Sequence, residues 1–240
     1  QDLAVRTGSA AYRDREGMAW TDPFRREVWR YNIAIAREAA EAGFDEVQFD
    51  YVRFPDSTAP LQFAQPSTAA SRTEAVAGFL AEARKALSPL GAFTAADFFG
   101  YVCWNTTDTG IGQQLAALAG AVDYLSPMLY PSGFHAGIPG FPDPVANTYQ
   151  IVRLSLERAQ ARLGVPAVRF RPWLQAFRDY AFDRRTFDGA LIDQQIRASR
   201  DFGANGWMLW NARNRYDMLD EGGSPLAAAG CLTSTDGKTG

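Results

Sequence analysis

The chain has 240 residues, 47% of them hydrophobic and 13% aromatic, with a net charge of -3. That is enough for one large α/β domain or two small ones, with a substantial core. The mild charge and the lack of a basic stripe exclude an electrostatic nucleic-acid binder, and no apolar run approaches the roughly 18 residues of a membrane span.

Gln1 opens directly into polar, domain-like sequence, and no signal peptide is read there. The segment 1-QDLAVRTGSAAYRDREGMAW-20 is Gly-dotted and holds no convincing strand. The first helix is expected over 23-PFRREVWRYNIAIAREAAEA-42, with Asp22 as N-cap, Pro23 in the first helical position and Gly43 as its end. Short apolar strands then alternate with amphipathic helices. The strands are 44-FDEVQFDYV-52, 91-GAFTAADFF-99, 122-VDYLSPMLY-130, 168-VRFRPWLQAF-177 and 205-NGWMLWN-211. Between them, 73–87, 110–121, 144–163 and 186–202 repeat apolar residues at three- and four-residue intervals. The end, 221–240, is small and polar and reads as a flexible tail.

Strict alternation predicts a parallel sheet with crossover helices. Polar residues gather at the C-terminal ends of the strands: Asp50, Asp97, Tyr130, Gln175 and Asn211. In both a (β/α)8 barrel and a doubly wound sheet that end carries the ligand. Polar residues at all five ends favour the barrel, and no GxGxxG or Walker-type loop follows any strand. Five strands, however, are three short of a barrel, which leaves sheet edges to be covered.

The stretch 44-FDEVQFDYVRFP-55 resembles the signature of a putative glycoside hydrolase family, a bacterial domain of unknown function of the (β/α)8-barrel type. The segments 19–46, 95-AADFFGY-101, 112-GQQL-115, 123-DYLSPMLYPSGF-134, 171-RPWLQAF-177 and 206-GWMLWNARNRY-216 fall in the order that the family shows. The resemblance implies that FDEVQFDYVRFP is the fourth barrel strand. The chain would then hold strands four to eight with their helices, without the first three βα units. The expected organisation is a polar lead-in over 1–22, a partial barrel over 23–220 and the tail over 221–240. The resemblance also implies a carbohydrate substrate and an extracellular or cell-envelope location. The missing N-terminal barrel segment or a homo-oligomer is expected to cover the open sheet edges.

Within 46-EVQFDYV-52, period-2 alternation puts Gln48 and Asp50 on one face and Val47, Phe49 and Tyr51 on the other. The apolar set suits the helix side, so Gln48 and Asp50 point inward, with Asp50 at the mouth and Arg53 just beyond. Glu46, at the strand's start, reads as structural. An Asp50–Arg53 ion pair that fixes the loop is the competing reading. Asp97 follows two small alanines, which leave room beside it. Neighbouring parallel strands lie about 4.8 Å apart, so Asp50 and Asp97 could approach the roughly 5 to 5.5 Å of a retaining glycosidase pair. Asp50 is assigned as nucleophile and Asp97 as acid/base. The reverse assignment stays open, as does a loop-capping role for Asp97.

Sugar rings present apolar faces, which aromatic platforms can cover. Tyr101, Trp104, Tyr130, Trp173 and Trp210 are candidates for that role, and core packing is the alternative for each. Gln48, Arg53, Gln175 and Asn211 could meet hydroxyls. His135, the only histidine, lies in the loop 131-PSGFHAGIPG-140 and could bear on substrate. One histidine and no cysteine cluster argue against zinc or iron, and no cofactor is expected. Cys103 and Cys231 lie far apart, either paired or free. The enzyme expected is an O-glycosyl hydrolase of a polysaccharide. The alternatives are a non-catalytic carbohydrate-binding or cell-envelope interaction domain, and a truncated structural remnant.

Overall fold

The computed structural model describes residues 3–216. The tail read over 221–240, and with it Cys231, lies outside the described residues. The chain opens with a two-strand hairpin, β1 (Arg6–Thr7) and β2 (Ala10–Ala11). The segment in which no strand was expected thus contains two, each only two residues long. Val5 beside them is fully buried, its N–H bonded to the Trp20 carbonyl.

The rest alternates as expected: α1 (Arg26–Glu41), β3 (Glu46–Phe49), α2 (Ala69–Leu87), β4 (Phe93–Phe99), α3 (Leu115–Ala121), β5 (Tyr124–Met128), α4 (Thr148–Leu163), β6 (Trp173–Gln175), α5 (Gly189–Phe202) and β7 (Met208–Trp210). The larger sheet is parallel throughout and runs β3-β4-β5-β6-β7. A doubly wound sheet reverses its strand order at a switch point. This one never does, so its crossovers all turn the same way and its helices form one outer layer. The result is a curled half-barrel, an incomplete (β/α) barrel.

The core lies between the sheet's outer face and that helical layer. Phe98, Leu125 and Leu174 from the strands, with Leu129 just past β5, meet Leu80, Leu118, Ile151, Leu156, Ile192 and Ile196 from the helices. A smaller cluster of Ala36, Ala40, Leu87 and Ala92 receives Val47 and Phe49 of β3. Val47 and Phe49 of the outward half of 46–52 are therefore packed, partly buried, against the helices, whereas Tyr51 is exposed. Among the described residues, no helix is long and apolar enough to cross a membrane.

Several boundaries move for local reasons. Asp22 does not cap α1: its carboxylate accepts from Phe24 N and from Ala64 N of a distant loop, and Arg25 stands at the N-cap without a side-chain bond. Pro23 thus precedes the helix instead of opening it. Gly43 does end it, in the left-handed region at φ 102°. α2 begins four residues earlier than expected, because Thr68 and Ser71 close a capping box. α3 begins later: Gly110 and Gly112 both take positive φ, and the Gln114 side chain caps from the N-cap position. β6 keeps only three residues, since 167–169 forms a short turn in which the Arg169 guanidinium bonds the carbonyls of Ala119, Val122 and Asp123.

Candidate active site

β3 and β4 pair in register, with Gln48 opposite Ala95 and Phe49 opposite Ala96. The next residues of the two strands, Asp50 and Asp97, therefore emerge side by side at the C-terminal edge. Both line one pocket of about 230 Å³, with Tyr51, Arg53, Tyr130, Trp173 and Trp210.

Asp97 is 4% exposed. Its carboxyl is raised from 3.8 to about 8, first by burial and then by the charge of Asp50. The Trp173 N–H and the Gln48 amide pull the other way. They lie near the carboxyl without closing a hydrogen bond of normal geometry. Asp97 Oδ1 and Trp173 Nε1 are thus both buried with no hydrogen-bond partner among the described residues. Two unmet polar atoms in one pocket match what a hydroxyl-bearing ligand would satisfy. Asp50 is exposed, and its Oδ1 accepts the N–H of Tyr51 at 2.7 Å. The Tyr130 phenol is pushed up by burial and by the charges of Asp97 and Asp50, so it stays protonated as a donor.

Arg53 makes no ion pair with Asp50. Its guanidinium lies over the rings of Trp20 at 4.6 Å, Phe99 at 5.1 Å and Tyr51 at 5.2 Å, and donates to the Phe54 carbonyl at 3.2 Å. The structural pairing expected of Arg53 is instead made at the base of the sheet. There Glu46 bonds Arg171, whose guanidinium covers the Tyr124 ring at 3.5 Å. Trp173 and Trp210 meet edge to face at 6.1 Å, and Trp210 is 46% exposed. Gln48 faces the interior, accepting from Ser126 Oγ at 3.1 Å.

Other expected site residues stand outside this pocket. Gln175 is fully buried. Its amide oxygen accepts from Ser132 N and its two amide hydrogens go to Ser132 Oγ and the Phe177 carbonyl, so no donor remains and the residue is sealed from a ligand. Trp104 turns outward, donating to Ser155 Oγ of α4 at 2.8 Å beneath Arg158. The Tyr101 hydroxyl accepts from Ala136 N and donates to the Gly137 carbonyl, pinning the loop after β5, and exposed His135 only rests edge-on against the Tyr101 ring. Asn211 closes a turn, donating to the Ala176 carbonyl and accepting from Arg213 N. Cys103 is buried, which pushes its thiol up to about 12.

Tyr51, Phe99, Gln113 and Met128 line the pocket although strand-end reading did not select them. Phe99 and Met128 follow Asp97 and Ser126 at the two-residue spacing of the inward face, so the alternation could have found them. Gln113 sits in a loop. Its buried amide accepts from Phe99 N at 3.1 Å and donates to the carbonyls of Asp97 and Val52, stitching the two strand ends together. No grouping of acids, histidines and cysteines fit to hold a metal occurs among the described residues.

The sequence matches, over residues 1–216, the family described as "Putative glycosyl hydrolase domain". A search of the curated proteins finds no match. Among solved structures, the glycoside hydrolase domain of PgaB (BpsB) from Bordetella bronchiseptica has a TM-score of 0.63 at 18% identity, covering 91% of this chain and 68% of that one. A class V chitinase from Pseudomonas fluorescens Pf-5 gives 0.56 at 16% identity, covering 83% and 72%. The spore cortex-lytic enzyme SleL of Bacillus cereus gives 0.54 at 15% identity, covering 82% of this chain and 52% of that one, so this chain spans about half of SleL. At these identities the likeness is one of fold.

Proposed function

Because this chain belongs to the family described as "Putative glycosyl hydrolase domain", we propose that it cleaves glycosidic bonds of a polysaccharide with Asp97 as general acid and Asp50 as the second carboxylate. The observation that carries this reading is the pair itself. A buried carboxyl raised to about 8 keeps its proton at neutral pH, beside an exposed aspartate on the neighbouring strand end. A carboxyl that its environment keeps protonated, beside a second carboxyl, is what the general-acid role requires.

In the proposed reaction the Asp97 proton passes to the glycosidic oxygen as the bond to the anomeric carbon breaks. Asp50 closes on that carbon from the other side. Once Asp50 is esterified its charge is gone, and with it one of the two causes that raise Asp97. Asp97, now ionised, is then poised to take a proton from the water that releases the sugar. Trp173 and Trp210 supply apolar faces for the ring, and the protonated Tyr130 phenol, which lines the same pocket, is available as a donor to substrate. Fold likeness to a chitinase and to a cortex-lytic enzyme favours a β-linked amino-sugar polymer.

The test is release of reducing ends from chitin oligomers and spore cortex by the wild type, Asp50→Asn and Asp97→Asn. Loss of about 10²- to 10⁴-fold in either variant supports the assignment. A wild type that binds glycan and releases no reducing ends overturns it in favour of a carbohydrate-binding domain.

A further inference from the structure

Tyr51 is the most unusual residue of the chain's backbone near the site. Its φ is 53°, a left-handed value that a bulky aromatic side chain rarely takes, and the residue is 65% exposed. Local bonds impose this conformation. Asp50 Oδ1 accepts the Tyr51 N–H, and the Tyr51 carbonyl accepts Arg53 N at 2.8 Å. Strain of this sort persists where the surroundings over-determine it, and it clusters at ligand sites.

The ring stands at a junction. With Arg53, Tyr51 lines both the pocket of the two aspartates and a second, polar groove of about 500 Å³ between residues 12–20 and 51–58. The groove's inner wall is built. Asp14 Oδ2 accepts the Trp20 indole N–H at 2.9 Å, the Trp20 ring meets Tyr51 edge-on at 6.3 Å, and Arg53 lies over both. The carboxylate pocket alone, about 230 Å³, falls below the roughly 300 Å³ at which ligand sites ordinarily begin. With the groove it falls within that range.

We propose that the groove is a second glycan subsite, with Tyr51 as the stacking platform between it and the carboxylate pocket. The wall carries three arginines and three acids, so it offers no net charge to select an ionised sugar. Its occupant is an uncharged, hydroxyl-rich unit of the same chain whose neighbour lies over Asp50 and Asp97. This rests on the glycosidase reading of that pocket, and it makes the protein a reader of chains instead of single sugars.

Calorimetric titration with the dimer and pentamer of β-1,4-linked N-acetylglucosamine tests it. The wild type is expected to bind the pentamer about tenfold more tightly than the dimer. Tyr51→Gly removes the platform while accepting the positive φ without strain, so its thermal unfolding should not fall. Thr58→Trp fills the groove from an exposed position that also lines it. Each variant should erase the chain-length advantage, and Thr58→Trp, which lies in the groove and outside the carboxylate pocket, should leave dimer affinity within about twofold. Equal binding of both oligomers by the wild type, a pentamer advantage that survives both variants, or binding of neither oligomer overturns the subsite. Reducing-end release and its loss in Asp97→Asn judge the glycosidase reading independently of any of these results.

Discussion

Asp97 is lifted to about 8 by burial and by the charge of Asp50, its neighbour on the adjacent strand end. Its ordinary value is 3.8, so the folded protein holds this proton over a range in which the unfolded chain has released it. The stability associated with Asp97 is therefore fully present below pH 3.8 and is lost progressively as pH rises to about 8. Asp97→Asn cannot ionise and escapes that loss. Denaturant unfolding at a series of pH values should show the variant gaining on the wild type between about pH 4 and 8, at up to about 1.4 kcal/mol per unit. A gap that does not change with pH would mean that Asp97 is not held protonated. The same proton predicts that activity falls above about pH 8, where the acid is lost.

The paired carboxylates were legible because alternation is a local rule: in 46–52 it sends Val47 and Phe49 to the helices and Gln48 inward, as found. The strand order was legible from the regular βα repeat. Tyr51 was not. Period-2 logic assigns it to the helix side, but the strand stops at Phe49, and the Asp50 carboxylate turns the next residue into left-handed backbone. Gln175 shows the opposite failure. Its strand-end position suggested a ligand amide, and only the turn at Ser132, forty-three residues away in sequence, reveals that the amide is already used. Asp22 was misread for the same reason: its partner, Ala64 N, is a long-range one.

Asp179 is a structural counterpart to Asp97. It is equally buried, and burial alone would raise it. Hydrogen bonds from Ser132 Oγ and from the N–H groups of Arg184, Ala181 and Phe182 overcome that, holding it at about 2. Here the folded value is depressed, so the stability is present above pH 3.8 and lost as pH falls through about 2. Asp179→Asn should cost about 2 kcal/mol at pH 7, and the difference from the wild type should shrink toward pH 2. Urea titrations of both proteins at pH 7 and pH 2.5 would check it. An equal cost at the two values would assign the loss to packing instead of charge.

Gly100 follows β4 where the chain passes under the loop after β5. A Cβ there would lie 2.4 Å from the Phe134 ring and 2.8 Å from the Met128 carbonyl. The carbonyl is backbone and cannot step aside, so Gly100→Ala should destabilise by about 1 to 3 kcal/mol. Because Met128 lines the carboxylate pocket, the variant should also perturb the site. Thermal unfolding, with near-ultraviolet circular dichroism of Trp173 and Trp210, reads both effects. A variant as stable as the wild type would mean that the β5 end yields easily.

Gln113 offers the most direct way to separate the site's geometry from its chemistry. It carries no charge, yet its buried amide holds Phe99 N and the carbonyls of Val52 and Asp97, the backbone on which Asp97 and the Asp50–Arg53 loop depend. Gln113→Ala strands these groups in a site from which water is largely excluded, at a cost of about 1 to 3 kcal/mol. Gln113→Glu keeps the acceptor for Phe99 N and loses both donations, placing a carboxylate against two carbonyls. It should therefore be worse than alanine at neutral pH and recover as acid restores a donor. Asp97 would loosen with its backbone and gain access to water, so its raised carboxyl should relax downward in Gln113→Ala. The alkaline limb of the activity profile should then move to lower pH while the carboxyl itself is untouched. Reducing-end release across pH 5 to 9 checks this: a limb that stays at about pH 8 in Gln113→Ala would show that burial of Asp97 does not depend on the stitch.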